Sequence, residues 1–166
     1  MKQNKQNKQK VTAEFPRGLH TSVREARARY FENNGFAADG GYSARWVPLK
    51  FGIFKLYLYN SAARKRAVPL HDLHHLATGY STSPKGEAMV AIWELASGTQ
   101  DKWFAYFINL PAFAYGFLLW PRSAIAAWRR GRNSKNLYSR DFADDLLELS
   151  VAELRDLTVA AKTQET

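Results

Sequence analysis

Three of the 4 histidines in this chain fall within five residues, in the segment His71-Asp72-Leu73-His74-His75. On a helix, His71 and His75 lie one turn apart on the same face, and Asp72 and His75 are spaced i, i+3. Glu87 falls in the first turn of the next predicted helix, and antiparallel packing of the two helices would turn it toward the histidines. Imidazole and carboxylate together suit Zn, Mn or Fe(II) better than Ca or Mg. The spacing therefore predicts a metal site formed by His71, Asp72, His75 and Glu87.

Composition limits the chemistry that such a site can use. The chain has 166 residues and no cysteine, which excludes a disulfide scaffold, a thiolate zinc site, an iron–sulfur cluster and a cysteine nucleophile. Any bound metal must be held by His, Asp or Glu. A catalytic site of this kind keeps one position open for water or substrate, which the metal then activates.

His74 points about 100° away from His75 on a helix, so it is not expected to share a metal with His71 and His75. We interpret His74 as a cap for the helix C-terminus near Gly79. Two alternatives stay open: it orients a neighbouring side chain, or it carries a proton as a catalytic residue. The simplest alternative for the whole cluster is a solvated helix end whose histidines interact with the helix dipole.

The surrounding pattern predicts a mainly α fold. We expect a single helical domain over residues 21–162, with one small β-hairpin near residues 46–59 and a basic disordered tail at residues 1–20. Serine caps, glycine stops and apolar spacing place the helices. The predicted segments are Thr21 or Ser22 to Asn33; Asn60-Ser61 to Gly79, interrupted or restarted at Pro69; Ser83 to Ala96; Asp141–Leu149; and Ser150–Val159.

The segment Trp103–Trp120 contains 18 residues without a charge, eight of them aromatic. A membrane-spanning helix needs about 20 residues, and Asn109, Pro111 and Gly116 interrupt this segment. We interpret it as a buried hydrophobic helix pair; the alternative is the wall of an apolar tunnel or a membrane-facing surface. Residues 121–140, directly after it, carry six Lys+Arg and no acid, a pattern that fits contact with anionic lipid headgroups.

Charge is unevenly distributed along the chain, whose formal net charge is +9. Residues 1–140 carry 22 Lys+Arg and 8 Asp+Glu, whereas residues 141–166 carry 2 and 7. A basic body is typical of proteins that bind nucleic acid or an anionic membrane. No motif of a known nucleic-acid module is present, so the aromatic segment beside the basic one favours a membrane surface and no nucleic acid.

The segment from His71 to Glu87 resembles the signature of the coenzyme Q biosynthesis protein 4 family, which is HDxxH, eleven residues and then Glu. All four positions match. The flanking Thr78-Gly79, Thr82-Ser83 and Gly86 are also similar, as are the sequences PLKFG at Pro48–Gly52 and WRRGR at residues 128–132. The resemblance covers about residues 20–160.

This resemblance implies a mostly helical protein of ubiquinone biosynthesis that holds a divalent metal, usually zinc, at the four matched positions. It implies a polyprenyl lipid, or a prenylated aromatic intermediate, bound near the metal. The aromatic segment fits such a lipid-binding wall, with Trp103, Phe107, Phe113 and Phe117 as candidate contacts. The implied role is the metal-dependent oxidative decarboxylation that replaces the ring carboxylate by a hydroxyl, together with organisation of the other biosynthetic enzymes.

The implied location is cytoplasmic and peripheral to the inner membrane, or on the matrix face of the mitochondrial inner membrane in a eukaryote. A homodimer is left open. The alternative function is a non-catalytic isoprenoid-binding scaffold with a structural metal. A metal phosphohydrolase with a His-Asp pair is disfavoured, because it needs further distant ligands and His20 is the only other histidine.

Overall fold

The computed structural model describes residues 20–51, 54–98 and 103–159 of the chain. The predicted tail at residues 1–20 lies outside these residues except for His20. Within them the fold is mainly helical, as predicted, and forms a single compact domain. The helices are α1 (Val23–Asn34), α2 (Ala62–Thr78), α3 (Pro84–Ala96), α4 (Trp103–Leu119), α5 (Pro121–Arg132), a short 3-10 helix (Leu137–Ser139), α6 (Asp145–Glu148) and α7 (Val151–Val159).

Helices α2 and α3 form the helical hairpin that carries the histidine cluster. Ser61 caps α2 by accepting a hydrogen bond from the Arg64 backbone N–H, and Gly79 ends the helix with φ 77°. That left-handed conformation suits glycine, which has no Cβ to clash with the preceding turn. Ser83 then caps α3 through the Gly86 N–H, with proline at the first helical position. These caps confirm the predicted helix boundaries around the turn.

Proline at position 69 lies inside α2, yet the helix continues through it. The expected interruption is therefore absent. Proline in a helix interior removes one backbone hydrogen bond and costs about 3 kcal/mol. The apolar face of α2 offsets that cost, because Leu70, Leu73 and Leu76 are almost fully buried and each contributes roughly 1.5–3 kcal/mol on burial.

The main core lies between α2, α1 and the C-terminal helices. Ser22 caps α1, and Gly35 ends it with φ 68°. Val23 and Leu154 are fully buried in this core, together with Leu70 of α2. Ser150 and Glu153 form the predicted capping box of α7. The Ser150 backbone N–H and hydroxyl each donate to the Glu153 carboxylate at 2.7 Å, and the Glu153 backbone N–H donates to the Ser150 hydroxyl oxygen at 3.2 Å.

A second core joins α3 to α4 and α5. Its buried members are Ala88, Met89, Ile92, Ala124 and Ala127. The aromatic segment forms one continuous helix, α4, in place of the expected helix pair. Small residues permit close packing in this core, because a Cβ at Gly131 would lie 2.5 Å from the Trp93 carbonyl oxygen.

The predicted β-hairpin is present. Strand β1 (Trp46–Phe51) pairs antiparallel with β2 (Phe54–Tyr59), in a register that places Trp46 opposite Tyr59. Asn60, the residue after β2, connects the end of the hairpin to the loop before β1, since its side-chain amide donates to the carbonyls of Tyr42 and Ala44.

Candidate metal centre

His71, His75 and Glu87 converge on one point between α2 and α3. The two Nε2 atoms lie 3.2 Å apart. Each also lies 3.4 Å from a different oxygen of the Glu87 carboxylate. Two consecutive turns of α2 supply the imidazoles and the first turn of α3 supplies the acid, as the sequence spacing predicts. Among the described residues, these three form a group of ligand atoms able to hold a metal ion.

Hydrogen bonds at the far side of each ring determine what the two Nε2 atoms can do. His75 Nδ1 lies 2.8 Å from the Tyr80 carbonyl oxygen, which can only accept, so this nitrogen carries a proton. His71 Nδ1 lies 2.8 Å from the Glu94 carboxylate. In their neutral forms both rings therefore direct an Nε2 lone pair at the same point. Two lone pairs at this distance repel, so the pair requires a shared cation, either a proton or a metal ion.

The spacing of the ligand atoms leaves room for one shared metal ion. Zinc bonds of 2.0–2.2 Å to nitrogen and oxygen imply ligand–ligand separations of about 3.3 Å, close to the 3.2 Å between the two Nε2 atoms. Each Nε2 lies 3.4 Å from a different Glu87 oxygen, and one ligand atom from each of the three residues falls within 4.8 Å of the others. The donor types, imidazole with carboxylate, also fit zinc and similar transition metals. Glu87 forms the open side of the cluster, because 42% of its side chain is exposed whereas His75 is buried.

Glu94, one residue that the sequence analysis missed, is a fully buried carboxylate beside this cluster. It lies on α3, seven residues after Glu87, and so on the same helix face two turns further on. His71 Nδ1 and His74 Nδ1 lie 2.8 and 2.6 Å from one of its oxygens, and the Asn109 amide donates to the other. The available signal was an acid at this spacing within an otherwise apolar helix.

Opposing effects determine the charges of the cluster. Burial alone would lower the pKa of His71, but the Glu94 and Glu87 carboxylates together raise it well above its ordinary value. Burial alone would raise the pKa of Glu87 and Glu94. The adjacent imidazoles outweigh burial and bring the pKa of each acid well below its usual range. Both acids are therefore ionised at neutral pH.

Asp72 does not join His71, His75 and Glu87, which differs from the predicted set of four ligands. Its carboxylate accepts hydrogen bonds from the hydroxyls of Tyr42 and Tyr30, the latter at 3.4 Å. Burial raises the pKa of Asp72. A residue next to His71 on a helix points about 100° away from it, and here that direction leads to the tyrosines of α1 and the following loop. The Tyr30 ring also stacks on His75, with centroids 5.8 Å apart.

His74 is fully buried and does not cap the C-terminus of α2, so the interpretation we favoured for it was wrong. Its Nε2 accepts a hydrogen bond from the Leu137 backbone N–H at 2.9 Å, and burial lowers the pKa of His74. Arg130 of α5 provides the cap instead, donating to the Thr78 carbonyl at 2.7 Å. The contact of His74 Nδ1 with Glu94 agrees with the alternative that His74 orients a neighbouring side chain.

The four candidate lipid contacts lie on α4, the helix that follows α3 in the chain, and none of them belongs to the cluster of His71, His75 and Glu87. Phe113 and Phe117 are half-buried and pack against the second core, with their rings 4.7 Å apart. The side chains of Trp103 and Phe107 lie outside the described part of the structure. The outer surface of α4 is apolar, and Leu118 is 79% exposed.

No family model, curated protein or solved structure matches the chain. Across the residues that the structure describes, no helix has both the length and the hydrophobicity required to cross a membrane.

Proposed function

We propose that this protein binds a divalent metal, zinc in the first place, through His71, His75 and Glu87. We further propose that it acts on a prenylated aromatic ring in ubiquinone biosynthesis. The observation that carries the metal proposal is the pair of opposed Nε2 atoms, each set in place by a hydrogen bond at its own Nδ1. The motif resemblance to the coenzyme Q biosynthesis protein 4 family supports the pathway.

A zinc ion bound there would supply a Lewis acid or an activated water on its open side. The residues of the chain contribute the rest. Glu87 closes the ligand set from α3, and Tyr80 and Glu94 hold the imidazoles in orientation. Replacing a ring carboxylate by a hydroxyl consumes one water and releases CO2, two protons and two electrons. Zinc undergoes no redox chemistry, so a separate oxidant such as dioxygen must accept the electrons.

The outer surface of α4 and α5 supports a peripheral membrane location. Exposed apolar side chains on these helices lie next to exposed arginines, a combination suited to the boundary between acyl chains and anionic headgroups. The apolar members are Leu110, Tyr115, Leu118, Leu119 and Ile125, and the basic members are Arg122, Arg129 and Arg132. We propose that this surface brings the metal centre to a polyprenyl substrate.

Leu118→Glu is expected to weaken binding to anionic vesicles by about tenfold without lowering the unfolding temperature. The side chain projects into solvent, so the change removes apolar contact worth roughly 1–2 kcal/mol and adds a repelled charge. Sedimentation with phosphatidylglycerol vesicles measures the effect. Tyr57→Glu, at an exposed aromatic of the hairpin, is the matched control, and an equal loss in both variants contradicts a specific role for α4.

Zinc binding at about pH 7 is expected to release close to one proton. The raised pKa of His71 means that its imidazole is charged in the metal-free protein, and the metal must displace that proton. Zinc affinity should therefore increase with pH and level off once the pH exceeds the pKa of His71 in the metal-free folded protein. Calorimetry in two buffers of different ionisation enthalpy measures the release. Zinc binding with the same heat in both buffers contradicts this prediction.

Native mass spectrometry combined with metal analysis tests the proposed function most directly. A protein purified with one zinc and a co-purifying prenylated lipid supports it, whereas a protein with neither metal nor lipid overturns both the enzyme and the scaffold proposals. His75→Ala and Glu87→Ala separate these two. If both variants fold and bind lipid but the pathway stops, the metal is catalytic; if removal of the metal melts the protein, the metal is structural.

A further inference from the structure

Glu94 is fully buried at the interface of α2, α3 and α4, where an unpaired carboxylate would be strongly destabilising. His71 and His74 both approach one of its oxygens through Nδ1, and Asn109 donates to the other. Tyr138, a buried tyrosine of the 3-10 helix, is a further side-chain hydrogen-bond partner of this carboxylate. This is the arrangement of a carboxylate that acts only as an acceptor.

We propose that Glu94 is a positioning residue of the metal centre, which holds His71 with its proton on Nδ1 so that Nε2 faces the metal. The inference rests on the proposed metal binding at His71, His75 and Glu87. In metalloproteins, a ligating histidine commonly donates its other N–H to a carboxylate, which fixes the tautomer and increases the basicity of the ligand.

The position of Glu94 does not depend on His71. His74 Nε2 accepts the Leu137 backbone N–H, so His74 must carry its proton on Nδ1 and donate it to Glu94. Asn109 secures the second oxygen from α4. Because these two contacts come from other parts of the fold, Glu94 is held in place without His71. Glu94 therefore orients His71, and not the reverse.

Charge balance gives Glu94 a second role. Two neutral imidazoles, the Glu87 carboxylate and the Glu94 carboxylate together carry two negative charges, which a single divalent cation neutralises. The three proposed ligands alone carry only one. Because charges interact strongly in a buried environment, the carboxylate behind His71 favours a divalent ion over a monovalent one.

Glu94→Gln tests the proposal, because it removes the charge and keeps the shape. The glutamine carbonyl can still accept from both imidazoles, and Asn109 can turn its amide to present an oxygen to the new NH2 group. We expect zinc affinity to fall by roughly 10–100-fold. We also expect the visible absorption of the cobalt-substituted protein to shift. A purely structural role for Glu94 would change neither measurement.

Glu153→Gln is the matched control. It makes the same chemical change at a glutamate of the α7 capping box, whose hydrogen bonds are with Ser150. It should lower the unfolding temperature slightly and leave zinc affinity and the cobalt spectrum unchanged. A Glu153→Gln variant that loses affinity as strongly as Glu94→Gln overturns the proposal.

Nuclear magnetic resonance of the histidine rings gives a test that needs no variant. In the zinc-loaded wild-type protein, labelled with 15N, we expect His71 to show a protonated Nδ1 and a metal-shifted Nε2. The reverse pattern overturns the proposal even if Glu94→Gln fails to fold. If the wild type binds neither zinc nor cobalt, the proposed metal site is wrong as well. If the wild type binds zinc and Glu94→Gln binds it equally well, only the proposed role of Glu94 is wrong.

Discussion

Glu87→Gln lowers zinc affinity by roughly two to three powers of ten and leaves the fold intact. A zinc site of four ligands contributes about 10–16 kcal/mol, so one ligand accounts for about 2.5–4 kcal/mol. The Glu87 carboxylate faces both Nε2 atoms, and an uncharged amide there is a much poorer zinc ligand. The side chain is partly exposed, so the substitution leaves no buried cavity. Competition with a chromophoric chelator measures the affinity.

Glu32→Gln is the control for this prediction. It makes the same chemical change at an exposed position of α1 and should leave zinc affinity unchanged. Equal affinity in the wild type and Glu87→Gln would place the metal elsewhere. Far-ultraviolet circular dichroism of both variants establishes that any loss of binding is not a loss of fold.

Gly86→Ala is expected to destabilise the protein by about 3 kcal/mol or more and to weaken metal binding at the same time. A Cβ at this position would lie 1.8 Å from the Ser81 carbonyl oxygen and 2.6 Å from its carbon. Those are backbone atoms of the α2–α3 turn, so the turn itself must move. Overpacking usually costs about 1–3 kcal/mol, and this overlap is severe. The move would displace Glu87, which is the next residue, and the turn that contains Tyr80, the partner of His75.

Gly116→Ala provides the comparison. It too is buried within a helix, but its Cβ would meet the Cδ1 end of Ile92 at 2.7 Å and the Ala88 side chain at 3.1 Å. The end of the Ile92 side chain can rotate away, and Ala88 must shift by only a few tenths of an ångström. Alanine also gains up to about 1 kcal/mol in helix propensity over glycine. Thermal unfolding with and without zinc should show a large loss for Gly86→Ala and a small change for Gly116→Ala. Equal unfolding temperatures in the two variants would contradict the argument.

Local signals in the sequence were sufficient to predict which helices carry His71, His75 and Glu87 and which way these residues face. The i, i+4 spacing of His71 and His75 placed both imidazoles on one face, and Ser83-Pro84 placed Glu87 in the first turn of α3. Serine caps and left-handed glycines depend on residues within one helical turn. Patterns of that range can be recognised without knowledge of the fold.

Contacts distant in sequence could not be predicted in this way. The N–H that His74 Nε2 accepts comes from Leu137, 63 residues away, and Tyr42 reaches Asp72 from a loop before the hairpin. Spacing alone could not decide between the metal and the tyrosines as the partner of Asp72. The orientation of α4 was also undetermined, because a helix that is apolar all round has no distinct outer face.

The proposed ligands all lie within residues 71–87, whereas the groups that anchor Glu94 come from Asn109 and Leu137. Loop-closure entropy is small for so short a segment. During synthesis, the emerging chain therefore contains its three ligands well before the residues that fix the tautomer of His71. If the proposed site binds its metal at that stage, we expect the metal to exchange readily. The proposed role of Glu94 then implies tighter binding only after α4 and the 3-10 helix have packed against α2 and α3.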